Sequence, residues 1–156
     1  MPEPLRNLWR ISNHKSLNGV GGLKYSARWH TSGKPIVYFA ESPAGAMLEV
    51  LVHLELLEDE LPRAYTLLRV EVPESVSIEL IQVPAGESWK TDHDLTRQLG
   101  DEWLAHRRTS LGRVPSAILP MTSNFILNPL HPDAPKVKIA ETEQAEFDPR
   151  LLKHLR

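Results

Sequence analysis

Residues 19–57 read GVGGLKYSARWHTSGKPIVYFAESPAGAMLEVLVHLELL. The reading of this stretch decides the fold. It begins with Gly19, Gly21 and Gly22, which allow tight turns and close backbone approach. Lys24 to Trp29 is short and mixed, which predicts an edge strand. Gly33-Lys34-Pro35 marks a turn. Ile36 to Ala40 is an apolar run of strand length, which predicts a strand covered on both faces. Ser42-Pro43 then starts a helix, with a hydroxyl N-cap followed by proline at the first helical position. Met47, Val50, Leu51 and Leu54 recur at helical spacing, and Leu48, Val52 and Leu56 widen the apolar arc. The expectation is a deeply buried helix.

Glu49 breaks that pattern. At about 100° per residue it points away from the Met47/Leu51/Leu54 stripe, with Gly45 one turn before it and His53 one turn after. A buried carboxylate must be paired, protonated or open to a cavity. Helix geometry leaves two readings open: a half-exposed glutamate bonded to His53, or a carboxylate beside a ligand that Gly45 makes room for. Arg28 is either a solvated strand arginine or an anion ligand, and Tyr38 either a core tyrosine or a stacking platform. Together a cation, an aromatic face and a carboxylate on adjacent elements suit a flat, charged ligand.

Working outward, Leu8 to Ile11 reads as a first strand, with Arg10 facing opposite to Trp9 and Ile11. Glu58-Asp59-Glu60 reads as a solvated acidic turn. Ala64 to Val72 alternates as a strand, and Val76 to Leu80 as a weaker one. Asp92 or Asp94 caps a helix running to about Arg107, with Leu95, Leu99 and Trp103 on one face and Gly100 as a weak point. Arg107, Arg108 and Arg113 read as complementing its C-terminal dipole. Val114 to Pro120 reads as a short strand between prolines. Ser116 within it is a candidate for a ligand phosphate or amide. Asn124 and Asn128 suit side-chain-held turns. Lys136 to Ala140 is a last strand, and Asp148-Pro149 opens a short helix.

The 156 residues fit one domain over 1–156 and suffice for a real core. A net charge of -2 without a basic block gives no support to direct nucleic-acid binding. The absence of cysteine excludes disulfides, thiol catalysis and cysteine-ligated zinc, and fits a reducing cytoplasm. No apolar run reaches membrane-spanning length, and MPEPLRNLWR lacks a signal-peptide core. The usual dinucleotide and triphosphate glycine loops, a G-x-S-x-G elbow and histidine pairs at metal-ligand spacing are all missing, so no metal is expected.

LWRIS, GGLKYSARWH, PIVYFAESPAGAMLEVLVHLE, VPSAILP and NFILNPLHPD occur in the order seen in RES-domain proteins. The chain resembles that family from about Leu8 to Ile139, least in the Glu58-to-Arg113 region. RES proteins are the toxin halves of bacterial RES–Xre toxin–antitoxin pairs. The resemblance implies an α+β fold like that of ADP-ribosyltransferase toxins, with a split, mixed β-sheet and flanking helices around an NAD cleft. It implies a cytoplasmic toxin that consumes NAD+ as substrate, without a cofactor, at the nicotinamide–ribose bond. The alternative is a mono-ADP-ribosyltransferase acting on a protein through the same site. A non-catalytic binding module is a third reading. By motif, Arg28, Tyr38 and Glu49 match the family's catalytic trio and Ser116 its serine. Arg10 and Asn124 match further recurrent positions that would bind NAD+ with Arg28, Tyr38 and Ser116. The implied partner is an Xre-like helix-turn-helix antitoxin, and the assembly admits a homodimer within a larger complex.

Overall fold

A computed structural model describes residues 5–54 and 63–153. The expected acidic turn at Glu58 to Glu60 lies outside them. Among the described residues, seven strands form one sheet in the order β4-β5-β6-β2-β1-β3-β7. They are β1 (Leu5–Ile11), β2 (Val37–Ala40), β3 (Ala64–Pro73), β4 (Ile78–Leu80), β5 (Leu111–Pro115), β6 (Ser123–Leu127) and β7 (Lys138–Glu146). Only β4 and β5 run parallel; the other neighbours are antiparallel. The helices are α1 (Gly21–Lys24), α2 (Pro43–Leu54), α3 (His93–His106) and α4 (Pro149–Leu152). This is the α+β class with the mixed sheet and flanking helices expected from the resemblance.

Strand alternation divides the core in two. Val37 and Phe39 of β2 join Leu8, Val70, Val72, Leu111, Phe125 and Leu127 on one face. On the other face, Tyr38 packs against a cluster of Trp29, Trp103, Val114 and Ile126, among others. The strand at Ile36 to Ala40 is thus covered on both sides, as its unbroken apolar run predicts.

The sheet is continuous but nearly parted in the middle. All seven residues of β1 pair with β3, and all four of β2 pair with β6. Between β1 and β2 only Trp9 and Ala40 are paired. The two strands diverge from that point, and the connection between them, residues 12–36, folds over the opening. That connection departs from expectation. No edge strand forms at Lys24 to Trp29; α1 occupies its beginning, followed by turns and an isolated Ala27–His30 bridge. The cause is local backbone bonding. Gly19 turns the chain at φ 72°, and its α-hydrogen face lies against Ile36, where a Cβ would stand 2.6 Å from the Ile36 nitrogen. Tyr25 N–H then donates to the Gly21 carbonyl at 3.4 Å and Ala27 N–H to the His30 carbonyl at 3.1 Å, using groups that a ladder would have needed.

α2 begins where predicted: the Ser42 hydroxyl accepts from Gly45 N–H at 2.9 Å. Its burial is less than predicted. Ala46 is its one buried residue among those described, Met47 to Leu51 are half-buried, and Val52 is exposed. Among the described residues the helix packs chiefly on β1 and β2, and its wide apolar arc outruns that contact. α3 matches its prediction, with the Asp92 carboxylate accepting from Leu95 N–H at 3.1 Å. The strand expected at Val114 to Pro120 lies earlier, at β5, because Ser116 closes a turn immediately after Pro115. The last strand starts at Lys138 rather than Lys136, since Ala134–Lys136 is a 3-10 turn, and it runs on to Glu146.

Candidate active site

The divergence of β1 and β2 opens a cleft of about 180 Å³ lined by Arg10, Gly19 to Gly22, Tyr25, His30 and Tyr38, among others. Arg10 spans the opening: its Nη1 donates to the Tyr38 backbone carbonyl at 3.3 Å. This bridges the strands where the ladder has lapsed. Its Nε is buried without a partner among the described residues. Burial holds the Arg10 pKa below the usual guanidinium value.

Tyr38 points to the α3 side of β2, as alternation from Val37 and Phe39 requires. Its hydroxyl accepts from Trp29 N–H at 3.1 Å and lies 2.7 Å from His30 Nδ1. Burial pushes the phenol well above its ordinary value, against the opposing effect of the Trp29 N–H, so it stays protonated. His30 is itself buried, and its Nε2 lies 3.2 Å from the Gly22 carbonyl.

Arg28 is set by α3 rather than by a strand. Thr96 Oγ1 donates to the Arg28 carbonyl at 2.6 Å, and Arg97 Nε to the Ala27 carbonyl at 2.8 Å. The Asp101 carboxylate takes the Thr31 N–H at 2.9 Å and the Thr31 hydroxyl at 2.7 Å. Gly100 lets the helix come this close: a Cβ there would stand 1.6 Å from the Trp29 carbonyl oxygen. The guanidinium of Arg28 donates through Nη1 to the Lys90 carbonyl at 2.8 Å. Burial lowers its pKa, and the charge of Glu49 opposes that shift.

Of the two readings left open for Glu49, the carboxylate bond to His53 does not form. His53 Nδ1 donates to the Glu49 backbone carbonyl at 2.7 Å, not to its carboxylate. The carboxylate instead accepts from Asn124 Nδ2 at 2.9 Å. Asn124 sits in β6 opposite Ala40 of β2 and on the Tyr38 face of the sheet. It is therefore a strand residue holding the candidate carboxylate, not a turn residue. Asn128 does hold a turn, accepting from Leu130 N–H at 3.1 Å. Ser116 Oγ accepts from the N–H groups of Ile118 and Leu119 at 3.1 and 3.2 Å. It shapes the β5–β6 turn and does not line the cleft.

Arg28, Tyr38, Glu49 and Asn124 thus belong to one side of the sheet, with Arg10 and Tyr38 lining the cleft at the split. Four contributing residues, His30, Thr96, Arg97 and Asp101, were not singled out in the sequence. His30 gives no spacing signal. The Thr96/Arg97/Asp101 clamp lies in the Glu58-to-Arg113 region, which carries least of the family resemblance. Its one visible trace is Gly100, a residue that costs a helix about 1 kcal/mol and so calls for a packing reason.

Comparison with known proteins agrees with this architecture. The family model described as "RES domain" matches residues 7–148. "Toxin Res" of Pseudomonas putida is 48% identical over 145 residues, spanning 92% of this chain and 98% of that protein. "Prs ADP-ribosylating toxin" of Sphingobium sp. is 34% identical over 158 residues, spanning 94% and 97%. The toxin–antitoxin complex MbcT–MbcA of M. tuberculosis contains a chain of the same fold, with a TM-score of 0.70 at 16% identity, covering 99% of this chain and 90% of that one. On a family match and on relatives that both run nearly end to end, this chain is a member of the RES-domain family.

Proposed function

We propose that this chain is the toxin of a toxin–antitoxin pair and breaks the nicotinamide–ribose bond of NAD+. The observation that carries the reading is the Glu49 carboxylate, held by Asn124 on the sheet face that bears Tyr38 and close enough to Arg28 to affect its ionisation. Departure of nicotinamide leaves positive charge on the ribose, as in glycoside hydrolysis. A fixed carboxylate stabilises that charge. Nicotinamide leaves as a neutral molecule, so a single acidic residue suffices. The guanidinium groups of Arg28 and Arg10 suit the pyrophosphate, and the Arg10 Nε–H has no partner among the described residues. The Tyr38 ring suits stacking on a flat base.

The acceptor is water or phosphate in the first reading. Transfer to a protein is the second, favoured by the name of the Sphingobium relative. The proposed partner is an Xre-like antitoxin that covers Arg28, Tyr38 and Glu49, in line with the antitoxin in the complex of the M. tuberculosis neighbour. The proposed compartment is the cytoplasm. No helix among the described residues is long and apolar enough to cross a membrane.

The test is NAD+ turnover by purified chain with product identification. Glu49→Gln keeps size and helix propensity, and turnover should fall by roughly 10²–10⁴. Near-wild-type turnover by a folded Glu49→Gln chain would end the mechanism. Radiolabelled NAD+ separates the acceptors: label on a protein band selects transfer, and free product alone selects cleavage.

A further inference from the structure

Tyr38 is a candidate catalytic residue, and the direction of its hydroxyl proton decides what a ligand meets. Three contacts fix that direction. The Gly22 carbonyl, 3.2 Å from His30 Nε2, can only accept, so Nε2 carries a hydrogen. Burial lowers the His30 pKa, against the Gly22 and Tyr25 carbonyls, which raise it. A neutral ring with its hydrogen on Nε2 has a bare Nδ1, which must accept from the Tyr38 hydroxyl at 2.7 Å. The Trp29 N–H, donating at 3.1 Å, occupies another position on the same oxygen.

We infer that His30 is a positioning residue that draws the Tyr38 hydroxyl proton inward, so that at neutral pH Tyr38 offers the cleft its ring and no hydrogen-bond donor. This deepens the NAD+ reading and, for its kinetic consequences, rests on it. A phosphate oxygen, which needs a donor, finds none at Tyr38; the arginines are the donors for phosphate. Protonating His30 reverses the geometry. Nδ1 then donates to the phenol oxygen, the hydroxyl proton turns away from the ring, and a cation lies beside the cleft. A cation there opposes the positive charge that develops on the ribose. Turnover therefore falls as pH drops through the His30 pKa, which lies on the acid side of the ordinary imidazole range. The charged groups acting on His30 are Asp101 of α3, which raises its pKa, and Lys34, which lowers it. Arg97 and Arg28 act on Tyr38 from the α3 side.

The first measurement needs no substrate. Long-range nitrogen–proton NMR on the chain alone should show His30 as the Nε2–H tautomer at pH 7. An Nδ1–H tautomer or a doubly protonated ring would overturn the inference even if NAD+ turnover is confirmed. The second uses two variants. His30→Asn places an oxygen acceptor about where Nδ1 stands and cannot be protonated; at pH 7 it should turn over roughly 10-fold faster than His30→Leu, and it should lose the acid limb of the pH profile. His30→Leu removes the acceptor, and turnover should fall roughly 10- to 100-fold. An acid limb unchanged in His30→Asn, or His30→Leu as active as His30→Asn, would refute the positioning role. A chain inert toward NAD+ would defeat the parent reading, and the NMR measurement would still decide the tautomer.

Discussion

Gly100→Ala tests the claim that α3 sets the position of Arg28. On helix propensity alone the substitution should stabilise the chain by about 1 kcal/mol. The structure predicts the opposite. A Cβ at residue 100 would lie 1.6 Å from the Trp29 carbonyl oxygen and 2.6 Å from its carbon, whereas real Cβ atoms essentially never come within 3.0 Å. Helix and loop must separate by about 1.4 Å, the difference between those distances. Such a shift takes the Thr96–Arg28 bond from 2.6 Å to beyond bonding range, with the Arg97–Ala27 and Asp101–Thr31 bonds strained alongside it. Losing two to four bonds at about 1 kcal/mol each, less the propensity gain, leaves a net loss of about 1–3 kcal/mol. For a chain of this size that lowers Tm by roughly 3–10 °C. Differential scanning calorimetry measures it, with Gly21→Ala as control, because a Cβ at Gly21 meets nothing within 4 Å. NAD+ affinity should weaken in Gly100→Ala as Arg28 moves. A Gly100→Ala chain as stable as wild type, with unchanged NAD+ affinity, would refute the argument that this crossing holds the arginine.

The remaining predictions concern single contacts. Asn124→Ala removes the donor from the Glu49 carboxylate, and turnover should fall roughly 10- to 100-fold, the worth of a hydrogen bond to a charged group; parity with wild type would remove Asn124 from the site. Arg28→Lys keeps the charge but loses the planar fork, so calorimetry should show weaker NAD+ binding with the fold intact; unchanged affinity would take Arg28 out of the ligand site. Asp101 carries a pH signature. Partial burial pushes its carboxyl up, but the Thr31 N–H, the Thr31 hydroxyl and Lys34 outweigh that and leave it below the usual aspartate value. A carboxyl depressed by folding stabilises fully above its unfolded pKa, and the contribution is lost as pH falls through the folded value. Asp101→Asn should therefore be less stable than wild type near neutrality, with the gap closing in acid; a Tm difference constant from about pH 7 to about pH 3 would contradict this.

Features encoded by neighbouring residues were legible in the sequence. Ser42-Pro43 and Asp92 mark helix starts because a cap is a contact over two or three residues. The strand at Ile36 to Ala40 is legible because burial on both faces leaves an unbroken apolar run. β7 was read short because it is an edge strand whose second half, ETEQAE, is exposed and lacks apolar alternation. α2 was read as deeply buried because its apolar arc does not reveal how much sheet lies beneath it. Arg28, Tyr38 and Glu49 were recognisable through family motifs. The Asn124 that holds Glu49 lies 75 residues away from it. No local periodicity encodes such a pair, nor the contact of His30 with Tyr38, which depends on how residues 12–36 fold back over β2.

The near-parting of the sheet between β1 and β2 also bears on how the chain folds. Strands β1, β3 and β7 stand on one side of it and β2, β4, β5 and β6 on the other. Neither group is contiguous in sequence. The chain crosses the seam four times, in the connections β1–β2, β2–β3, β3–β4 and β6–β7. Neither half can then be excised as an autonomous fragment, and the β3–β7 ladder cannot close until nearly the whole chain has been made. The seam itself carries one ladder pair, Trp9 with Ala40. Amides facing it should exchange with solvent sooner than those of the β1–β3 ladder, at a free energy well short of global unfolding. The same four crossings keep the halves tethered when that pair opens, so the aperture can widen without the two sides coming apart.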